Sequence, residues 1–326
     1  MKKIVKTFAK SLSAVVMLGA FGMTSAEPLK IGYSDWPGWV AWEVGIEKQW
    51  FKEEGVDVKF EWFDYVASMD AFAAGKLDGV GMTNGDALVT GATGGKGVMI
   101  LMNDYSNGND MIIAKPGISS IKQLKGKKIG VEVGFVSHLL LLNALEKNGM
   151  NETDVELVNV PTNETPQVLA SGDVDAIVAW QPSSGIALTQ VPGSKAIYTS
   201  EDEPGLIYDM YVVTPQSYAK RKDDWKKVMK VWYRIVNYIN NPATFDDAIR
   251  IMASRVGLKA DEYKSFVKGT KILTLKEAKS FFKKGKGYTS IYGSTQISDD
   301  FNIANKVYDK PQDVESYIDP SLTSGL

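Results

Sequence analysis

Acidic and aromatic side chains follow many of the short apolar runs in this sequence, at positions where a strand would end. The carboxylates there are Asp35, Glu43, Asp64, Asp86, Asp104, Glu132 and Asp209. The aromatic residues there are Trp36, Trp39, Trp42, Tyr65, Phe135, Trp180 and Tyr211. The same segments contain no Lys or Arg, and His138 is their one residue that could carry positive charge. Because carboxylates and aromatic faces both attract cations, this composition favours a site for a small cation or amine.

The residue types also indicate how such a ligand would be held. A guanidinium group would pair with Asp35 or Asp64 through two parallel hydrogen bonds, whereas an amine or a pyrimidine-type ring would lie against the tryptophans. We predict no catalytic residue, metal ligand or cofactor. The predicted ligand-binding residues are Asp35, Trp36, Trp39, Asp64, Thr83, Asn84, Asp104, Phe135, Ser137, His138, Trp180 and Asp209.

Several of these residues also have a purely structural interpretation. Asp35 could cap the helix that follows it, and His138 could cap or pack at a helix start. Asp209 lies in a motif that occurs twice, so a role in a hinge competes with ligand contact. Asp78 and Asp175 recur at matching positions, which favours a structural role for both.

Strand and helix patterns alternate along the chain, an arrangement that can bring the candidate residues together. Leu29–Tyr33 and Val56–Trp62 have strand patterns, and Trp39–Glu53 between them has a helix pattern. The same order restarts at Lys128–Val131, and the turn Gly75–Asp78 is repeated at Gly172–Asp175. This repetition predicts an α/β fold of two similar lobes, each with a doubly wound, mainly parallel sheet.

Two similar segments mark the connections between the predicted lobes. Asp110–Pro116 and Asp209–Pro215 both begin with Asp-Met and end with Pro, and we predict that they are crossover strands that act as the hinge. Lobe one then comprises residues 27–113 and 214–326, and lobe two comprises residues 114–213. Because ligands bind beyond the carboxyl ends of strands in such sheets, the cleft between the lobes is the predicted site.

The first 26 residues have the features of a secretory signal peptide. Four lysines precede the apolar stretch Ala14–Met23, and Thr24-Ser25-Ala26 offers a small-residue cleavage site before Glu27. We therefore predict an exported, periplasmic protein, with an uncleaved membrane anchor as the alternative. A lipid anchor of the bacterial lipoprotein type is not expected, because no Cys follows the cleavage site.

Composition excludes several classes of site. The 326 residues are 44% hydrophobic and 23% charged, an ordinary balance for a globular protein. There is no Cys and only one His, which excludes disulfides, thiolate metal sites, iron–sulfur clusters and multi-histidine sites. The 37 Lys and Arg are balanced by 39 Asp and Glu. Without a basic excess, we expect no nucleic-acid partner.

Motifs over most of residues 29–240 resemble those of the nitrate/sulfonate/taurine-type periplasmic binding proteins of ABC importers (the NitT/TauT or NMT1-like family). The segments that carry the resemblance are Leu29–Tyr33, Glu47–Val58, Ala73–Asp78, Leu124–Gly130 and Trp180–Pro182. The resemblance implies a two-lobed periplasmic binding protein of type II. It also implies that the chain, which we expect to be a monomer, binds a small molecule between the lobes and delivers it to a membrane permease.

The resemblance and the residues favour different ligands. An anion such as a sulfonate, taurine, nitrate or bicarbonate requires Lys, Arg or free helix N-termini, and the candidate segments lack the two basic residue types. We therefore predict a cationic or heteroaromatic nitrogen compound, with a small anion as the alternative. A pyrimidine-biosynthesis enzyme of the same fold is a remote alternative, because its relatives carry a Cys-rich motif that this chain lacks; we predict no enzyme. A sensor that signals to a membrane receptor also stays open.

Overall fold

The computed structural model describes residues 27–326, so the predicted signal peptide lies outside the described residues. The strands of the described chain form two separate sheets. In chain order the strands are β1 (Leu29–Tyr33), β2 (Val58–Trp62), β3 (Gly79–Thr83), β4 (Val98–Ser106), β5 (Met111–Ala114), β6 (Lys128–Val131), β7 (Glu156–Asn159), β8 (Ala176–Ala179), β9 (Lys195–Thr199), β10 (Tyr208–Val213) and β11 (Thr270–Ile272).

The first sheet has six strands in the order β11-β4-β10-β3-β1-β2. Strand β1 pairs in parallel with β2 and β3, whereas β10 runs antiparallel between β3 and β4. Every residue of β3 and β10 is buried. Strands that are buried along their whole length are typical of a sheet covered by helices on both faces.

The second sheet has five strands in the order β7-β6-β8-β5-β9 and repeats the plan of the first. Strand β6 pairs in parallel with β7 and β8, and β5 runs antiparallel beside β8. Each sheet therefore combines parallel strands from one half of the chain with an antiparallel strand that arrives from the other half. The predicted two-lobed α/β fold is confirmed.

The same hydrogen-bonding pattern joins the strands of both sheets at their amino ends. Asp78 accepts a hydrogen bond from the backbone N–H of Lys30 (2.9 Å), and Asp175 accepts one from the backbone N–H of Lys128 (3.1 Å). The backbone carbonyls of these aspartates also accept from the chain that leaves each antiparallel strand, at Thr214 and Lys115. The repeated turn in the sequence is therefore a repeated structural joint.

Helices cover the sheets, and most of the C-terminal third packs on the first sheet and its helices. The longest helix buries one face, which includes Val228, Trp232 and Ile235, against the helices near the N-terminus. The α-helices are α1 (Pro37–Val40), α2 (Trp42–Glu47), α3 (Trp50–Glu54), α4 (Tyr65–Ala73), α5 (Asn84–Ala92), α6 (Val136–Lys147), α7 (Thr165–Ser171), α8 (Ser183–Gln190), α9 (Pro215–Lys220), α10 (Lys222–Asn240), α11 (Phe245–Arg255), α12 (Ala260–Lys268), α13 (Leu275–Phe281), α14 (Ile291–Ala304) and α15 (Ser321–Ser324). Short 3-10 helices span Ile121–Leu124, Glu152–Asp154, Thr162–Glu164, Ser200–Asp202 and Val314–Tyr317.

The sheets are mixed but mainly parallel, since only β10 and β11 in the first sheet and β5 in the second run opposite to the other strands. The structure differs from the sequence prediction in two respects. Strand β5 lies wholly in the second sheet, and β10 lies wholly in the first. The chain therefore crosses from one sheet to the other in the segments that precede β5 and β10, and neither strand is itself a crossover. The helix predicted over Trp39–Glu53 is divided among α1, α2 and α3, since Gln49 has the left-handed backbone conformation (φ 58°) that ends a helix.

Within residues 27–326, no helix has both the length and the apolar character that crossing a membrane requires.

Candidate functional site

The strand ends that the sequence singles out surround a cavity between the two sheets. Its volume is about 360 Å³, which is large enough for a small organic molecule. No lining residue is Lys or Arg. The cavity is lined by Asp35, Asp64, Tyr65, Val66, Ala67, Glu132, Val133, Phe135, Asn159, Pro161, Thr162, Asn163, Glu164 and Trp180. We call it the outer cavity.

A second, much smaller space lies beside the outer cavity and shares Tyr65 and Trp180 with it as walls. Its volume of about 10 Å³ leaves room for roughly one water molecule. All of its lining residues are buried. They are Trp36, Trp39, Tyr65, Thr83, Asp110, Val136, Trp180, Ile207 and Asp209. We call this space the inner chamber.

Three aromatic side chains in contact with one another form one side of the inner chamber. The Trp39 and Tyr65 rings are nearly parallel with centroids 5.4 Å apart, and Trp180 meets Tyr65 edge-on at 5.3 Å. Trp39 and Tyr65 belong to the first lobe and Trp180 to the second. The aromatic side of the chamber therefore joins the two lobes.

A pair of carboxyl groups lies behind these rings, on adjacent antiparallel strands. Asp209 on β10 faces Asp104 on β4 in the sheet register, and each carboxyl group lies close enough to affect the pKa of the other. Asp104 Oδ1 also accepts a hydrogen bond from Trp36 Nε1 at 2.9 Å. Gly38 makes this packing possible, because a Cβ atom there would come within 1.8 Å of Asp104 Oδ2.

The buried carboxyl groups of the site have raised pKa values. Burial raises the pKa of Asp35 and of Asp86 to about 6, and it raises the pKa of Asp110 and of Glu132 to about 7. Burial and the neighbouring Asp104 raise the pKa of Asp209 well above its usual range. No lysine or arginine counteracts these shifts. The Asp104–Asp209 pair therefore favours its protonated form more than an isolated, exposed carboxyl group would.

Several buried polar atoms of the inner chamber have no hydrogen-bond partner among the described residues. They are the indole N–H groups of Trp39 and Trp180 and the Oδ2 atom of Asp209. Because unpartnered buried polar groups are costly, the chamber has unused capacity for both donors and acceptors. Among residues 27–326, no group of three or more His, Asp and Glu side chains is arranged to hold a metal ion.

The structure brings together eight of the twelve predicted binding residues. Asp35, Asp64, Phe135 and Trp180 line the outer cavity, and Trp36, Trp39, Thr83, Trp180 and Asp209 line the inner chamber. As ligand contacts, all of these residues stay predictions.

The other four, Asn84, Asp104, Ser137 and His138, line neither space. Asn84 donates to Ser294 and Thr295, and its side-chain oxygen accepts from the Tyr208 N–H. His138 Nδ1 accepts from the Gly134 N–H. Asn84 and His138 thus make internal structural contacts, and Asp104 lies opposite Asp209 in the sheet.

Tyr65, Asp110 and Glu132 line the site but are missing from the predicted set. One signal in the sequence could have found Asp110. It starts the Asp-Met segment that recurs at Asp209, and both aspartates line the inner chamber. For Tyr65 the sequence offers only its position after a strand.

Comparison with known proteins finds one matching family model and several similar proteins. The NMT1/THI5 like family model matches residues 37–244. A binding protein of Brucella abortus is 30% identical over 199 residues, which are 60% of this chain and 61% of that protein. The chain therefore matches about three fifths of the length of that relative.

Two further comparisons extend over more of the chain. The taurine-binding periplasmic protein of Escherichia coli is 26% identical over 264 residues, or 77% of this chain and 76% of that protein. The crystal structure of the periplasmic aliphatic sulphonate binding protein of Escherichia coli superimposes with a TM-score of 0.74 and 20% identity, covering 92% of this chain and 100% of that one. This structural similarity establishes the two-lobed fold.

Proposed function

The chain belongs to the NMT1/THI5-like family, and from this premise we propose that it is the periplasmic solute-binding component of an ABC importer. In this proposal a small cationic or heteroaromatic nitrogen compound binds between the two sheets, and a membrane permease receives it. Family membership and the names of the relatives support the binding role. The nature of the ligand is inferred from the site.

One observation supports the cationic ligand most strongly. Four carboxylates line the outer cavity and two line the inner chamber, and neither space contains a lysine or arginine. Burying an unpaired carboxylate is unfavourable. A cation that entered the site would pair with these groups and remove that cost, whereas an anion would increase it.

The two spaces suggest how the ligand is placed. The inner chamber as it stands has room for about one water molecule, so a planar head group would enter it only with the lobes further apart and Trp180 moved away from Tyr65. It would then lie against the Trp39, Tyr65 and Trp180 rings, with cation–π contacts of roughly 0.5–2 kcal/mol each. Asp110 and Asp209 would accept its N–H groups. Any substituent would extend past Tyr65 and Trp180 into the outer cavity, where Asp35 and Asp64 lie.

A small anion is the second candidate, because relatives of this chain are named for taurine and for aliphatic sulfonates. Backbone N–H groups at helix N-termini would have to bind such a ligand. Protonation of the cleft carboxyls, whose pKa values are raised to about 6 or 7 by burial, would reduce the repulsion.

A ligand screen by thermal shift separates the two candidates. Methylguanidinium, choline and an aminopyrimidine form one panel, and taurine, methanesulfonate, nitrate and bicarbonate form the other, with potassium chloride as the ionic-strength control. A ligand at 100 times its Kd adds about 2.7 kcal/mol to the free energy of unfolding, which gives a clear rise in Tm. A shift with the first panel alone supports the cationic ligand. A shift with anions alone would contradict it and leave the binding role intact.

A further inference from the structure

Asn109 lies in the first of the two segments that cross between the sheets, and its side chain is bonded to the first lobe. The amide nitrogen of this side chain donates to the Phe266 carbonyl oxygen at 2.6 Å and to Thr270 Oγ1 at 2.7 Å. Phe266 belongs to α12, and Thr270 begins β11 of the first sheet. Asn109 is 3% exposed. Because a satisfied buried polar network fixes one arrangement of its groups, the chain is part of the first lobe as far as Asn109.

The next residue, Asp110, is held by the second lobe. Its carbonyl oxygen accepts a hydrogen bond from the Ser200 N–H at 2.9 Å, and it directly precedes β5 of the second sheet. The first crossing therefore passes from one lobe to the other between Asn109 and Asp110. Since Asp209 lies in β10 of the first sheet, any rotation between the lobes moves Asp110 relative to Asp209.

Two side-chain hydrogen bonds join the lobes at this point. Ser184, in the first turn of α8, donates from Oγ to the Asn109 carbonyl oxygen at 3.3 Å. Ser106 at the end of β4 and Ser200 directly after β9 are joined through their Oγ atoms at 2.7 Å. The three serines are each 1% exposed or less. Because breaking such buried bonds leaves polar groups unsatisfied, they favour one angle between the lobes.

The same network reaches the candidate site through Ser184. The Ser184 N–H donates to the Trp180 carbonyl oxygen at 2.8 Å, so the residue that is bonded to Asn109 also holds the turn that carries Trp180. The Trp180 ring lines both spaces and meets Tyr65 of the first lobe edge-on at 5.3 Å. A displacement of Asn109 would therefore change the separation of these two rings.

We propose that Asn109 is a positioning residue that sets the angle between the two lobes, and with it the separation of the Trp180 and Tyr65 rings. Asn109 lines neither the outer cavity nor the inner chamber, and it acts through Ser184 and Asp110. The inference goes beyond the proposed function, because the angle is a property of the ligand-free chain. It rests on the proposed function only for the choice of the probe ligand.

The first test measures the angle between the lobes without a ligand. The chain has no Cys, so spin labels can be attached specifically at Lys59→Cys and Glu156→Cys. These exposed positions lie on β2 and β7, which are edge strands of the two sheets. Double electron–electron resonance then gives the distribution of distances between the labels. We expect one dominant distance in the labelled parent, and a broader distribution displaced to longer distances in Asn109→Ala.

Two more labelled variants separate an effect on the angle from an effect on stability. Ser184→Ala removes a single hydroxyl group on the other side of the link and should also broaden the distribution. It decides the test if Asn109→Ala does not fold. Asn148→Ala is the matched control, because its side chain donates to the Ala144 carbonyl at 2.8 Å within the second lobe. We expect Asn148→Ala to keep the distribution of the parent.

The second test measures binding of methylguanidinium by calorimetric titration. We expect the affinity to fall about tenfold in Asn109→Ala and about threefold in Ser184→Ala, because a smaller fraction of the molecules has the angle that can bind. Saturating methylguanidinium should return the labelled Ser184→Ala variant to the distance of the bound parent, since a ligand shifts the population towards the conformation that it binds. A loss of stability alone would not produce this recovery.

The outcomes distinguish this inference from the proposed function. If the parent binds no methylguanidinium while Ser184→Ala and Asn109→Ala change the label distances, the ligand proposal fails and the role of Asn109 holds. If the folded variants keep the distribution of the parent, or if Asn148→Ala broadens it equally, the inference about Asn109 is overturned. Several distances of similar weight in the ligand-free parent would also overturn it, because the network would then not set the angle.

Discussion

Two pairs of aspartates recur in the two halves of this chain, and they lie at opposite ends of the sheets. Asp78 and Asp175 precede strands β3 and β8 and each accept one backbone N–H, so they join strands at the amino ends. Asp110 and Asp209 belong to the repeated Asp-Met segments and meet in the inner chamber. Asp78 and Asp175 lie in separate sheets, whereas Asp110 and Asp209 line the same space, and we call these two the converging pair.

The difference shows that repetition alone does not identify a structural residue. The four aspartates are equally regular in the sequence, but only the converging pair is buried next to other carboxylates. At the amino ends a repeated residue repeats its contact. At the cleft end the two repeated aspartates, Asp110 and Asp209, line the same space. Each is therefore part of the other's environment, which the repetition in the sequence does not predict.

The largest effect is expected when the converging pair is neutralised. Asp110→Asn and Asp209→Asn should each weaken methylguanidinium binding by about 100-fold, because hydrogen bonds to charged groups contribute roughly 1.5–3 kcal/mol and a carboxylate–cation contact is lost as well. Calorimetric titration at about pH 7.5 measures the change. Asp175→Asn is the matched control and should bind with wild-type affinity. Equal losses of methylguanidinium affinity in Asp110→Asn, Asp209→Asn and Asp175→Asn would show that aspartates at the cleft end contribute no more to binding than an aspartate at the amino end.

A glycine at the cleft end gives the next largest effect. Gly38→Ala would place a methyl group 1.8 Å from Asp104 Oδ2, so the Asp104–Asp209 pair and the hydrogen bond from Trp36 must shift. We expect a loss of about 2–3 kcal/mol in the free energy of unfolding, together with weaker ligand binding.

Gly130 on β6 provides the comparison, because a Cβ there would meet only ordinary contacts at 3.4–3.7 Å. Gly130→Ala should change the free energy of unfolding by less than about 1 kcal/mol. Denaturant unfolding of both variants measures the two values. The packing argument is wrong if Gly38→Ala is as stable as Gly130→Ala.

The pH dependence of stability is a third, intermediate effect. Burial raises the pKa of Asp110 and of Glu132 to about 7 in the folded protein, whereas carboxyls in an unfolded chain titrate near pH 4. Between these values the folded chain holds more protons than the unfolded chain, so stability falls as the pH rises. Groups whose pKa is lowered by ion pairing, such as Asp247 beside Lys48, titrate below this range and do not oppose the trend.

We expect the ligand-free Tm to drop by roughly 5 °C between about pH 5.5 and pH 8. Saturating methylguanidinium should remove most of that drop, since the bound cation stabilises the ionised carboxyls. Asp110→Asn should show a shallower slope than the wild type. A Tm that rises with pH over this range would refute the account of the buried carboxyls.

The sequence is sufficient to predict the scaffold and only part of the site. The alternation of strands and helices and the repeated turns at Asp78 and Asp175 identify the two-lobed α/β fold, because these signals are local. The antiparallel entry of β5 and β10 is not predicted, since it depends on which sheet each strand joins. The sequence also does not show which of the aspartates at the strand ends are buried. Asp104 and Asp209 look like exposed strand ends in the sequence, and only the close approach at Gly38 shows why they are buried together.

The smallest effect is expected at the amino ends, where Asp78→Asn and Asp175→Asn should behave alike. Each variant keeps an oxygen that can accept the backbone N–H of Lys30 or Lys128 and loses only the charge on a half-buried group. We expect each to lose less than about 1 kcal/mol in the free energy of unfolding. Because the two joints lie in separate sheets with no shared partner, the double variant should lose the sum of the two values to within about 0.5 kcal/mol. Urea unfolding of the single and double variants measures this additivity. A coupling energy much larger than about 0.5 kcal/mol would mean that the two joints affect each other's stability. The contrast with the converging pair at the cleft would then disappear.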